Sequence, residues 1–183
     1  VYLCYLIGFQ LLQVRLIGKI LSQGYGWNAA VIYGHQWWRL ITPMFLHFQF
    51  QHVLFNCFSI FLFAPVLEMM LGKWKFSIAY FGSGIISNVL ALYFGGVGQL
   101  PYLGASAAIF GLFGIFLFII IFRRNLMDRQ SKQIVAIILI ANVAWTFIFP
   151  SVDVLGHLFG LLGGFLLGPF LVMRTRDFWY REH

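Results

Sequence analysis

Apolar residues in this chain come in long unbroken runs. They lack the alternation of a half-buried strand and the narrow stripe of a surface helix. The runs cover 1–21, 49–71, 76–95, 103–122, 133–149 and 152–173. Each approaches the roughly 20 residues that a helix needs to cross a bilayer. The pattern predicts an all-α membrane protein, a six-transmembrane-helix bundle forming a single domain over 1–183. Arg15 and Lys19 interrupt the later half of the first run. Long basic side chains near a span end reach back to the headgroups, so this span is expected to stop near Leu12 to Leu16. No basic segment precedes the run and no small-residue cleavage site follows it, so it reads as a span and not as a leader. Residues 22–48 hold Gly24, Gly26, Trp27, Trp37, Trp38 and Pro43. Aromatics with glycines suit a long interfacial loop with short helices between spans 1 and 2. The other connections are short.

Composition narrows the class further. The chain is 61% hydrophobic and 9% charged, against about 25% charged in an ordinary soluble domain. It cannot cover a water-facing surface, which excludes a soluble globular enzyme and a disordered tail. The net charge of +7 would suit nucleic acid, but the basic residues sit in short runs between apolar stretches. They are read as topology signals, with the lipid bilayer and no nucleic acid as partner. Lys73 and Lys75 follow span 2, Arg123, Arg124, Arg129 and Lys132 follow span 4, and Arg174, Arg176 and Arg181 follow span 6. If the spans alternate, all of these fall on one side, and the positive-inside rule places both termini in the cytoplasm. Spans 2, 4 and 6 then run inward. Cys4 and Cys57 lie in apolar segments and are read as buried free thiols, not as a disulfide framework.

Polar groups within spans are expensive and point to function. His47, His52 and Asn56 stand around the start of span 2, Ser106 at the start of span 4, and His157 early in span 6. Because these spans run the same way, residues far apart in sequence share one depth, the outer third of the bilayer. Gly156, Gly160, Gly164 and Gly168 recur every four residues in span 6, a small-residue seam that lets another helix approach closely. Gly160 and Gly164 lie on the face of His157. Span 4 offers Gly111 and Gly114, the latter roughly on the face of Ser106. Contact between the two seams would bring Ser106 within reach of His157. A serine needs a base to take its proton, and a neutral buried imidazole suits that role. No acidic residue is well placed as a third member: Asp153, one turn before His157, reads first as the N-cap of span 6. His52 and Asn56, four apart, share a face and can both donate to an oxyanion, as can the backbone N–H of Ser106. The other reading pairs His52 and Asn56 with each other and with loop backbone.

These residues resemble a known family. His47-Phe48-Gln49-Phe50-Gln51-His52-Val53-Leu54-Phe55-Asn56 resembles the rhomboid pattern H-x4-H-x3-N. Gly104-Ala105-Ser106 and His157-Leu158-Phe159-Gly160 resemble its serine and histidine motifs. Trp38-Arg39 looks like its first-loop pair, and Glu68 with Gly72 like its E-x3-G element. The resemblance spans essentially the whole chain. It implies an intramembrane serine protease that needs no cofactor and cuts transmembrane protein substrates near the extracytoplasmic side. Ser106 is then the nucleophile, His157 the base, and His52, Asn56 and the Ser106 amide the oxyanion hole. His47, Arg39 and Glu68 take structural roles, and Phe110 stacks on the histidine. Trp145, Phe147 and Phe149 of span 5 suggest a lateral gate, or else aromatics that simply face the core or the lipid, and Gly95 to Gly98 a flexible loop or a turn. One position departs from the pattern: Ala107 replaces the family's usual glycine after the serine, and its methyl narrows the path to the oxyanion site. The expected location is the bacterial cytoplasmic membrane.

Three other classes fit less well. A non-catalytic rhomboid-like protein that binds membrane helices typically lacks the serine or the histidine. A transporter wants polar groups through the depth of the bundle, whereas the inner halves of these spans are nearly all apolar. A zinc site finds only His47 and His52, five apart, with no H-E-x-x-H and no cysteine pair in reach.

Overall fold

A chain this apolar must satisfy its own backbone N–H and C=O groups, and helices do so within each segment. The computed structural model describes residues 15–47, 50–148, 153–173 and 175. Among these residues every regular element is a helix and no strand forms, apart from one isolated antiparallel pair between Gly26 and Tyr102. In chain order the helices are α1 (Arg15–Gly24), α2 (Asn28–Gly34), α3 (Phe50–Leu71), α4 (Lys73–Gly95), α5 (Ser106–Phe122), α6 (Arg129–Ile148) and α7 (Val154–Val172). Short 3₁₀ turns at Trp37–Leu40 and Thr42–Phe45 complete the connection before α3. α3, α4, α6 and α7 are long and apolar enough to cross a membrane.

The expected six spans reduce to these four plus α5 among the described residues. The predicted first span lies mostly outside them, although helix α1 continues past the point where that span was expected to stop. The expected span 4 also shortens. Residues 103–105 are not helical, and α5 has only 17 residues, about 26 Å at 1.5 Å per residue. A hydrocarbon core is about 30 Å thick.

α5 is the centre of the bundle. Ala107 through Phe116 are all buried, and α5 and α7 form the most extensive helix pair. The glycine seam makes that contact. A Cβ on Gly160 would overlap the carbonyl oxygen of Ala107, one on Gly164 that of Gly111, and one on Gly168 the ring of Phe118. From the other side, a Cβ on Gly114 would overlap the carbonyl oxygen of Leu161. At Gly160, Gly164 and Gly114 the two backbones therefore touch with no side chain between them, while at Gly168 the Phe118 ring fills the contact. α4 closes the third side. Ser87 Oγ donates to Gly156 O at 2.7 Å, and Ser83 Oγ sits where a side chain on Gly111 would go. A one-turn π bulge at Ile78–Gly82 precedes Ser83, whose hydroxyl donates to Ala79 O at 2.6 Å.

α6 is different. Its buried side chains are Val135, Leu139 and Thr146, so most of it faces outward. Cys57 corrects an expectation as well: it is exposed on α3. An apolar run shows that a residue avoids water, but not whether protein or lipid replaces it. Cys4 lies outside the described residues. At the far end of α5, Arg123 donates to Val172 O at 3.2 Å and Thr175 O at 2.9 Å, and also to Met173 O. It thus satisfies carbonyls that the end of α7 leaves without helical partners.

Gly164→Val tests the seam. Its side chain would enter Gly111 backbone, which cannot rotate away. Overpacking of this kind costs about 1–3 kcal/mol or more, so the thermal midpoint in detergent should fall clearly. Leu162→Ala, on an exposed position of the same helix, should change it little. Equal midpoints for the two variants would refute backbone contact at Gly164.

Candidate active site

The loop before α5 is tied to the first loop before any side chain of the site is considered. Tyr102 and Gly26 exchange backbone hydrogen bonds at 2.9 and 3.0 Å, and Gly104 N–H donates to Pro43 O at 2.9 Å. Gly104 holds φ +127°, a conformation that favours glycine. A Cβ there would also lie 2.6 Å from Cε1 of His52. The glycine of the serine motif is thus required by its backbone and by the imidazole packed on it. Ser106 follows as the first residue of α5 and is partly buried. Among the described residues its hydroxyl has no hydrogen-bond partner. At a helix start it has no preceding turn to bond back to.

His157 is the fourth residue of α7 and is 8% exposed. Its ring stacks on Phe110, with centroids 4.1 Å apart and planes 16° apart. Phe110 stands one turn after Ser106. The expected stacking partner is therefore found, and the Gly160–Ala107 contact holds this turn of α7 against the start of α5. Nδ1 of His157 lies 2.8 Å from Thr146 Oγ1. Asp153 is the N-cap, as expected: its carboxylate accepts from Gly156 N–H at 3.0 Å.

Thr146 is the site residue that sequence reasoning missed. It is 1% exposed, a polar group in an apolar run, and the rule that flagged Ser106 applies to it equally. A threonine can satisfy itself on its own helix, and this one does so in part: Oγ1 donates to Asn142 O at 2.9 Å. A threonine bonded to its own helix is an ordinary feature of an apolar run, so that signal alone does not set it apart.

On α3, Asn56 is 6% exposed, and its Nδ2 lies 2.7 Å from Nε2 of His47. The backbone N–H of Ala105 donates to the same Nε2 at 3.3 Å. An amide N–H can only donate, so Nε2 of His47 is the bare nitrogen and Asn56 must donate to it as well. Asn56 keeps a second N–H for another acceptor. His52 does not bond Asn56. Its ring meets His47 edge-on at 5.1 Å and covers Gly104. His47 is thus more than a loop support, because it joins α3 to the start of α5. Burial, with His52 nearby, pushes its pKa down to about 4.

Arg39 is buried in the first loop. It donates to Gln36 Oε1, Tyr25 O and Ser22 O at 2.6–2.9 Å. Trp38 Nε1 donates to Gln23 O at 2.9 Å. The pair organises that loop, as the resemblance implied. Gly72 holds φ +78° between α3 and α4, and its N–H donates to Glu68 O at 2.7 Å. Trp145 of α6 faces Phe55 of α3 at 6.4 Å. Phe149 lies outside the described residues.

The Rhomboid domain family model matches residues 34–174. This chain is a member of the rhomboid family and a multi-pass membrane protein. It is 47% identical over 152 residues to the rhomboid YdcA of Bacillus subtilis, covering 83% of this chain and 75% of that one. It is 33% identical over 138 residues to the rhomboid protease GluP of the same organism, covering 75% of this chain and 26% of GluP. It is 35% identical over 143 residues to rhomboid-type serine protease 2 of Emericella nidulans, covering 76% of this chain and 28% of that protein. The chain thus spans only about a quarter of the latter two relatives.

The histidine on α3's approach makes a pH prediction. Folding holds the His47 pKa below its ordinary 6.5, near 4. The stability that its neutral ring confers is complete above 6.5 and is lost as pH falls through 4, because the unfolded chain binds the proton first. The thermal midpoint should therefore decline across this window. His47→Gln, which can accept a hydrogen bond but not titrate, should flatten the decline. An unchanged slope in the variant would assign it to another group.

Proposed function

We propose that the chain is an intramembrane serine protease working by a Ser106–His157 dyad. The observation that carries this reading is the stack of His157 on Phe110, one turn from Ser106, on helices whose backbones touch. In this reading Ser106 Oγ attacks a substrate carbonyl carbon while Nε2 of His157 takes the hydroxyl proton. The carbonyl oxygen becomes an oxyanion, and the imidazolium then returns the proton to the leaving amine. Water hydrolyses the acyl-enzyme by the same steps in reverse. The oxyanion is met by the second N–H of Asn56, by His52 and by the Ser106 backbone N–H at the start of α5. No cofactor or metal takes part.

The short α5 supports a recessed site. A helix of about 26 Å leaves its first residue below the membrane surface. Non-helical backbone such as 103–105 is tolerated at that depth only where protein buries it or where it borders water. The charge pattern supports both termini in the cytoplasm, with Ser106 toward the outer side. The outward-facing α6 and the Phe55–Trp145 contact support entry of substrate between α3 and α6. A substrate helix keeps its amides bonded internally, so it must unwind near the outer edge before it can be cut. Weak helix formers lower that cost, and the glycine and alanines around Ser106 favour a small residue at the cut.

A fluorophosphonate probe should label Ser106 of the purified protein. Ser106→Ala should abolish both labelling and cleavage of a single-span substrate with near-normal folded yield. Asn56→Ala should lower kcat by about 10²–10³ at most, since other donors remain, with a smaller change in KM. Full cleavage by Ser106→Ala would refute the dyad, and a pure KM effect at Asn56 would assign it to docking. Replacing a helix breaker in the substrate by leucine should slow cleavage. Equal rates, or cuts near the cytoplasmic end, would refute the depth argument.

A further inference from the structure

We propose that Thr146 is a positioning residue that selects the base-competent tautomer of His157, an inference that rests on the dyad reading above. Oγ1 of Thr146 has two neighbours, Asn142 O at 2.9 Å and Nδ1 of His157 at 2.8 Å. A hydroxyl has one proton. A carbonyl oxygen can only accept, so two oxygens 2.9 Å apart need that proton between them, or their lone pairs repel. The hydroxyl therefore donates to Asn142 O and presents a lone pair to the imidazole. Nδ1 must then carry the ring proton, because two lone pairs would otherwise face each other at 2.8 Å. A neutral imidazole has one N–H, so Nε2 is bare. Only a bare nitrogen can accept the Ser106 proton.

The same chain serves the next step. When Nε2 gains the serine proton, Nδ1–H remains a donor to Thr146, and the Thr146 proton remains on Asn142 O. No proton moves along this chain. It polarises toward a backbone carbonyl in the C-terminal half of α6. This is the place a buried carboxylate takes in a three-member site, and here a hydroxyl and a peptide carbonyl fill it. Asp153 does not compete, because its carboxylate is spent on Gly156 N–H. The buried surroundings favour the arrangement: Thr146, at 1% exposure, is closed to a replacing solvent molecule.

Thr146→Val keeps the shape and removes the acceptor, whereas Thr146→Ser keeps the acceptor and loses a methyl. The valine variant leaves Nδ1–H unpaired in a buried place and frees the ring to shift its proton to Nε2. Its kcat should fall roughly 10- to 100-fold with KM changed less than about twofold. Fluorophosphonate labelling of Ser106 should slow in parallel. The serine variant should recover most of the activity. Imidazole ¹⁵N spectra of His157 supply a readout that a packing role would not move. The wild type should show a protonated Nδ1 and a bare Nε2, and the valine variant a population with the reverse. This wild-type measurement stands even if the valine variant folds poorly. Wild-type kcat in Thr146→Val, or a wild-type spectrum with the proton on Nε2, would overturn the proposal while leaving the dyad intact. Wild-type protein that fails to label at Ser106, or full cleavage by Ser106→Ala, would overturn the dyad and this role together.

Discussion

Backbone contact between α5 and α7 is the constraint on which the rest of the molecule depends. Lipid gives apolar side chains little reason to prefer one another over acyl tails, so helix association relies on close packing. Here Gly160, Gly164 and Gly114 remove the side chains that would hold two helices apart. The consequence is geometric as well as energetic. Helices in direct backbone contact have little freedom to slide, so the turn bearing His157 is set against the turn bearing Ser106 and Phe110. The ring stack is a result of this seam and could not position the helices without it.

A second layer of control comes from hydrogen bonds that allow only one proton placement. His47 receives the N–H groups of both Asn56 and Ala105 on Nε2, which leaves that nitrogen bare. At His157 the Thr146 hydroxyl, committed to a helix carbonyl, leaves Nδ1 as the donor. In each case a backbone group with a fixed role decides what a histidine with two possible roles must do. His47 is thereby held neutral where a charged ring would be costly, and His157 is held with a fixed donor nitrogen.

The first loop and the loop before α5 bring irregular backbone beside this arrangement. Such backbone cannot stay unpaired away from water. It is paired through Gly26 with Tyr102, Gly104 with Pro43, and the Arg39 guanidinium with carbonyls of Ser22 and Tyr25. Asn28 adds side-chain bonds to Ala91 O and Gly96 O, and Asn88 one to Leu40 O. Sequence reading picked out none of these asparagines, since their partners are carbonyls of distant segments that no local pattern marks.

Run length and polarity in the sequence were enough to determine a helical membrane domain, because about 20 apolar residues in a row have few other uses. The seam was legible too, since a four-residue glycine spacing has a fixed meaning on a helix. So were Ser106, His157, His52 and Asn56, as rare polar groups at corresponding depths. Other features required the tertiary structure. The outward turn of Cys57, the His47 link between Asn56 and Ala105, and the Thr146 contact with His157 all depend on which face of one helix meets which face of another. Periodicity locates a residue on its own helix. The rotation of that helix toward its neighbours is decided by packing over the whole bundle, and that information is spread through segments far apart in the chain.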